Sequence, residues 1–204
     1  LAHAMPHVPL FVSDKHAGKS PRGLYGDVIL ELDWSTGQIL DTLKQLGLDE
    51  KTLVMYVSDN GGPGGAGGAG ENKPLRGSKG STYEGGIRVC AVARWPGRIP
   101  AGTVCKQVAS TMDVLPTFAR LAGGAPPSDG IIDGKDIFPL MAAQPGAKTP
   151  SDAFYHYYRG SLQAVRSGPW KLKLKTVLRQ EDIYQSFEIP DAPIPEALYN
   201  VDTD

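Results

Sequence analysis

Asp59 and Asn60 close an apolar run, TLVMYVS, and are followed directly by Gly61 and Gly62. Asp supplies a charged oxygen and Asn a neutral one, both hard donors suited to Ca²⁺ or Mg²⁺ rather than zinc. The glycines let main chain come close to a ligand. Asp-Asn-Gly is also good turn chemistry, and the tripeptide by itself leaves both readings open. A second cluster, PLRGSKGSTYEGGIRV at 74–89, sets Arg76 and Lys79 among glycines and hydroxyl side chains. Lysine is a compact charge suited to an oxyanion, but a solvated loop with a turn at Gly85-Gly86 has the same composition. The third is MPHVPL, where His7 is held between two prolines in a stiff loop; on its own it is a surface histidine as readily as a functional one.

These residues need elements to carry them. Leu24, Val28, Leu32, Ile39, Leu43 and Leu46 recur at helical spacing, which predicts a helix over about 24–47 with one buried face and Gly47 as its stop. TLVMYVS shows no alternation and reads as a strand buried on both faces, as in a parallel sheet covered by helices. A strand in such a sheet ends at the edge where ligands bind. The low-complexity stretch GGPGGAGGAG at 61–70 has the composition of a linker, yet it lies between two of the three clusters. IRVCAVARW predicts a second strand, 104–109 a short third, and DVLPTFARLA a helix with Asp113 as N-cap.

A shift to Pro, Gly and Ala near 125–152 puts a boundary close to residue 150, with antiparallel strands beyond it in FYHYYRG, SLQAVRSG and PWKLKLKT. In WKLKLK, Trp170, Leu172 and Leu174 are expected to pack, and Lys171, Lys173 and Lys175 to face water.

The chain has 204 residues, 41% hydrophobic and 21% charged, enough for a real core. Its net charge of −1 provides no global field for nucleic acid or an anionic membrane, and no run is long enough to span a bilayer. Any anion site must therefore be local. The 25 glycines and 17 prolines imply many turns and ordered loops. The two cysteines, Cys90 and Cys105, make neither a disulfide framework nor a zinc motif; they are read as buried thiols or as one bridge between adjacent strands.

Taken in order, His-x-Pro, a long helix, a strand ending SDNG, a glycine-rich loop and G-x-K-G-x-[ST]-x-E-G-G-x-R resemble the sulfatase family. The resemblance continues through ARWPGRIPAG, STMDVLPTFARLAG, IDGKDIFPLM and AVRSGPWKL, over essentially the whole chain. PPSDGIIDG and FYHYYRGSLQAVRSG are similar to its arylsulfatase branch, which includes N-acetylgalactosamine-6-sulfatase and arylsulfatase A. The resemblance implies an α/β alkaline-phosphatase-like fold: residues 1–150 as the C-terminal part of its catalytic domain and 151–204 as a small, truncated antiparallel β subdomain. It implies a sulfuric ester hydrolase acting on sulfate esters of sugars, located outside the cytoplasm. It implies that Asp59 and Asn60 ligate one Ca²⁺, that Lys79 holds a sulfate oxygen, and that His7 contacts the sulfate and helps protonate the departing alcohol.

Two features of the family pattern are absent. No Cys/Ser-x-Pro-x-Arg motif, the source of the formylglycine nucleophile, occurs in the chain, since Cys90 begins CAVAR and Cys105 begins CKQVA. The family's N-terminal strand with its Asp-Asp ligands is missing too. Both belong upstream of His7, so the chain is expected to correspond to the C-terminal half of a sulfatase and to be inactive alone. A phosphatase or phosphodiesterase of the same superfamily and a non-catalytic protein that binds sulfated glycans are the competing readings. The all-oxygen pair Asp59-Asn60 favours a single hard cation over two zinc ions.

Overall fold

The computed structural model describes residues 1–64, 70–176 and 194–203. They form two compact units, Leu1–Pro96 and Gly97–Asp204; the boundary expected near residue 150 falls within the second.

In the first unit, helix α1 spans Gly23–Gln45. It begins at Gly23, in left-handed backbone (φ 66°), and Gly47 follows it in the same conformation (φ 67°). Its expected apolar face is only partly buried. Val28 and Leu32 are core residues, whereas Leu24, Ile39 and Leu46 are exposed. The stripe is longer than the surface that the described residues lay against it. The segment before the helix is bound to it by carboxylates. Asp27, itself buried, accepts from the Gly18 N–H at 2.8 Å and the Ser20 N–H at 2.6 Å. Glu31 accepts from the Ser13 N–H at 2.9 Å. The amides bonded to Asp27 hold its carboxyl below the usual carboxylate range, the Ser20 amide contributing most.

A single 3-10 turn, Asp49–Lys51, leads into β1, Val54–Val57. Helix α2 is one turn, Glu84–Ile87, and β2 is Ala91–Arg94. The pairing corrects the sequence reading. β1 runs antiparallel to β2, from Val54 opposite Arg94 to Val57 opposite Ala91, and Tyr56 and Val57 are exposed rather than enclosed on both faces. β2 is the only strand bonded to β1 among the described residues. The two strands are locked at their base. Arg94 makes a two-pronged pair with Asp49, Nη1–Oδ1 2.6 Å and Nη2–Oδ2 2.9 Å, and the buried Trp95 donates its indole N–H to Glu50 O at 2.8 Å. The predicted turn at Gly85-Gly86 lies inside α2. Cys90 and Cys105 are free and exposed, not buried and not bridged, because one precedes an edge strand and the other lies in irregular chain.

In the second unit no strand forms at 104–109. Helix α3, Val114–Leu121, follows a 3-10 turn, Thr111–Asp113. Asp113 is the N-cap position of α3, as expected, though without a side-chain cap bond; Ser110 caps the preceding 3-10 turn, and Asp113 completes that turn's capping box from the third position. Asp113 is buried because it serves two segments: Oδ2 accepts from Ser110 N at 2.7 Å, and Oδ1 from Lys135 N at 2.8 Å. Thr117 extends the join, donating to Asp113 O at 2.6 Å and accepting from Ile137 N at 3.0 Å. That seats helix α4, Phe138–Met141, with Ile137 and Leu140 in the core.

An antiparallel sheet follows in the order β3 (Phe154–Tyr158), β4 (Ser161–Ser167), β5 (Trp170–Lys173), β6 (Ala197–Asn200). Arg159 and Gly160, both at positive φ, make the two-residue turn between β3 and β4. The facing of β5 is the reverse of the expectation. Lys171 and Lys173 are 3% and 2% exposed, while Trp170 is 51% exposed. The buried Lys173 ammonium donates to Thr176 Oγ1 at 3.0 Å and Gln163 O at 3.3 Å. Burial, and secondarily the charge of Lys171, pushes its pKa down. The alternation of two faces is correct, but a period of two does not say which face the sheet buries.

Candidate active site

The end of β1 and the loop carrying Lys79 are built into one another through main chain. Beyond Val57 the ladder continues for one more bond, from Ser58 N to Cys90 O at 3.3 Å. The Ser58 hydroxyl donates to Asn60 O at 3.1 Å, and Asn60 Nδ2 donates to Gly61 O at 2.9 Å. That second bond fixes the orientation of the carboxamide and leaves Oδ1 as its remaining donor atom for a cation. Asp59 beside it is exposed, and Asn60 is half-buried.

Gly61 then donates to Gly86 O at 3.0 Å, and Lys79 donates its amide to Gly62 O at 3.0 Å. The approach is close enough to require glycine. A Cβ on Gly61 would fall on the Gly85 carbonyl oxygen, and a Cβ on Gly85 would fall on that of Gly77. Asn72 grips the same loop, accepting from Gly62 N at 2.9 Å and donating to Gly62 O at 2.9 Å. Ser81 closes the turn that presents Lys79, its hydroxyl donating to Ser78 O at 2.8 Å. Arg76 lies with its guanidinium 4.5 Å from the centre of the Tyr83 ring. The Lys79 side chain is half-buried, and among the described residues it has no carboxylate partner.

His7 is exposed, with Nδ1 2.7 Å from Val8 O. A carbonyl oxygen only accepts, so Nδ1 carries a proton there, and Nε2 is the nitrogen available to a ligand. The segment around His7 lies along α1: His3 and Met5 line an open cleft with Val28, Glu31 and Trp34. The other N-terminal histidine, His16, is a packing residue, buried and 5.3 Å from the Trp34 ring. The structure therefore joins Asp59, Asn60 and Lys79 through one hydrogen-bonded loop, whereas His7 belongs to a separate segment held on α1.

Two hard oxygens on consecutive residues at a strand end fit one Ca²⁺ or Mg²⁺ as part of a ligand shell. Among the described residues no group of three or more His, Cys, Asp and Glu side chains gathers around a metal position. Asn72 escapes sequence reading because nothing local marks it: it acts on Gly62, ten positions away and brought to it by the folded loop, whereas Ser81 lies within the 74–89 cluster and bonds only three residues back.

Comparison with known proteins agrees with this architecture. The family model "Sulfatase" matches residues 1–125, and the model "N-sulphoglucosamine sulphohydrolase, C-terminal" matches residues 78–202. Steryl-sulfatase of Mus musculus is 41% identical over 175 residues, which is 81% of this chain and 28% of that protein. N-acetylgalactosamine-6-sulfatase of Canis lupus familiaris is 45% identical over 168 residues, 81% of this chain and 31% of that protein. The crystal structure of PsFucS1 sulfatase from Pseudoalteromonas sp. superposes with a TM-score of 0.82 at 32% identity, over 97% of this chain and 40% of that one. The chain thus spans about a third of the length of the curated relatives it matches. Its mixed helices and sheets, with the small four-stranded antiparallel sheet, are those of the α/β alkaline-phosphatase-like fold of its solved relatives. With both family models covering more than half of it, and with the loop of Lys79 fastened to the strand end of Asp59 and Asn60, this chain belongs to the sulfatase family.

Proposed function

We propose that this polypeptide is part of a sulfuric ester hydrolase acting on sulfated sugars. Residues 1–150 are the C-terminal part of its catalytic domain and 151–204 a small antiparallel subdomain. The observation that carries the reading is the bond from the Lys79 amide to Gly62 O, which ties a cationic side chain to the loop leaving the Asp59-Asn60 pair. Sulfate esters are anions whose bridging oxygen gains charge as the S–O bond breaks. A cation, an ammonium and an acid facing that charge are what the reaction needs. A sugar substrate is supported by relatives: N-acetylgalactosamine-6-sulfatase by its name, and Ps i-CgsB, solved in complex with k-i-k-neocarrahexaose.

In this reading Asp59 and Asn60 hold one Ca²⁺, which when bound supplies positive charge at the sulfate oxygens. Lys79 holds a sulfate oxygen. His7, as imidazolium, keeps its Nδ1 proton on Val8 O and gives the Nε2 proton to the leaving alcohol. The formylglycine nucleophile is assigned to a Cys/Ser-x-Pro-x-Arg segment outside residues 1–204, and the protein to a compartment outside the cytoplasm.

The test is hydrolysis of a chromogenic aryl sulfate, with Ca²⁺, by the product of the full reading frame and by residues 1–204 alone. Turnover by the first and none by the second is expected. A complete reading frame with no nucleophile motif and no turnover, but retained binding of sulfated oligosaccharide, would establish the non-catalytic alternative. Preferred hydrolysis of a phosphate ester would establish the phosphatase.

A further inference from the structure

We propose that Asn72 is a positioning residue of the active site, its carboxamide setting the distance between the Asp59-Asn60 pair and Lys79. This rests on the assignment of those three residues to cation and sulfate. Asn72 treats Gly62 as a paired strand would. Its Oδ1 accepts from Gly62 N at 2.9 Å, and its Nδ2 donates to Gly62 O at 2.9 Å and to Gly77 O at 3.3 Å. The carbonyl oxygen of Gly62 also receives the Lys79 amide at 3.0 Å. One oxygen atom is therefore shared by Asn72 and the main chain of Lys79.

On the opposite side of the loop, Gly61 N is held by Gly86 O at 3.0 Å. The two residues after Asn60 are thus gripped from both sides, by Gly86 through main chain and by Asn72 through its side chain. Asn72 itself sits at the head of a tight turn, its carbonyl accepting from Leu75 N at 2.8 Å. Gly62 has no side chain to spare: a Cβ there would lie 3.0 Å from Asn72 Oδ1. The chemistry demands a carboxamide. A peptide group offers one donor and one acceptor, and of the two short isosteres only Asn matches both at neutral pH. An ionised Asp accepts from Gly62 N–H but turns a second oxygen toward the Gly62 and Gly77 carbonyls.

The experiment compares wild type, Asn72→Ala, Asn72→Asp and Lys79→Ala in the complete polypeptide. It follows aryl sulfate hydrolysis against pH and amide hydrogen exchange at Gly62 and Lys79. Asn72→Ala is expected to speed exchange at both amides and to lower kcat on the order of 100-fold, the scale of a small displacement of catalytic groups, with KM little changed. Asn72→Asp is expected to regain activity relative to wild type as the pH falls, because a neutral carboxyl group accepts from Gly62 N–H and donates to Gly62 O as the amide does. If the alanine variant fails to fold, this pH-dependent ratio decides.

Wild-type kcat in Asn72→Ala alongside a large loss in Lys79→Ala would overturn the proposal. So would exchange at Gly62 and Lys79 indifferent to Asn72, or an Asn72→Asp to wild-type ratio independent of pH. Unchanged turnover in Lys79→Ala would instead overturn the assignment of Lys79 to sulfate, while the exchange rates still judge the grip of Asn72.

Discussion

The Lys79 amide nitrogen lies 3.0 Å from the carbonyl oxygen of Gly62, seventeen positions earlier in the chain and two beyond Asn60. The backbone of Lys79 and that of the Asp59-Asn60 pair are therefore parts of one hydrogen-bonded loop. Replacing the Lys79 side chain removes a charge without disturbing that bond. In the complete protein, Lys79→Ala is expected to lower kcat/KM for a sulfate ester on the order of 100-fold or more, as for loss of an oxyanion donor. Steady-state kinetics checks this, with thermal unfolding unchanged as the control.

Asp59 is exposed at the strand end and has no cationic partner among the described residues. A carboxylate so placed is free of packing duties, and under the proposed function it is a ligand to the cation. Asp59→Ala in the complete protein is expected to weaken Ca²⁺ binding by at least about tenfold, since even outer-shell changes at metal sites reach that size. Isothermal titration with Ca²⁺ measures it, and an unchanged affinity removes Asp59 from the shell.

Gly85 is buried where the main chain of Gly77 and Arg76 passes over it, and Gly85 N donates to Arg76 O at 2.8 Å. A methyl group cannot enter without separating these strands of loop. Gly85→Ala is expected to destabilise by about 3 kcal/mol, the upper range for overpacking, and to lower activity together with stability. Gly97→Ala, with nothing within 4 Å of its Cβ position but a left-handed backbone (φ 76°), is expected to cost about 1 kcal/mol. Denaturant unfolding of both variants makes the comparison.

Asp113 satisfies Ser110 N and Lys135 N with different oxygens. Asp113→Ala strands both donors and is expected to cost about 2–4 kcal/mol. Asp113→Asn keeps one acceptor oxygen and should cost less. Equal losses in the two variants, measured by chemical denaturation, would show that the carboxylate is not shared as described.

Asp27 has its carboxyl held below the ordinary range chiefly by the Ser20 amide. A carboxylate with a lowered folded pKa adds stability that is present above the unfolded value, about 4. It is lost as the pH falls through the folded value beneath that. Glu31 and Asp49 are shifted the same way, by Ser13 and Arg94. The unfolding midpoint of wild type is expected to drop on acidification below about pH 4. In Asp27→Asn it should start lower at neutral pH and fall less steeply. Parallel curves for the two proteins would remove Asp27 from the acid response.

Local order was legible in the residues themselves. The spacing from Leu24 to Leu46 announces α1, the apolar run TLVMYVS announces β1, and the turn residues Arg159-Gly160 and Gly168-Pro169 divide three strands of the second unit. The ordered series of SDNG, GSKGSTYEGG and ARWPGRIPAG carried the family, because each motif constrains residue type at fixed spacing.

Which surfaces those elements bury was decided only in three dimensions. Lys171 and Lys173 alternate with apolar neighbours just as solvent-facing lysines would, yet the sheet buries them and leaves Trp170 exposed. Periodicity distinguishes two faces but carries no sign. The same holds for β1, whose composition suits a strand enclosed on both sides but whose described partner is a single antiparallel strand. Asn72 lies ten positions from Gly62 and seven from Lys79, and nothing in its neighbours marks it. Its role arises because hydrogen bonding is directional and short-ranged: only the folded loop brings a peptide group to the one side chain shaped to pair with it.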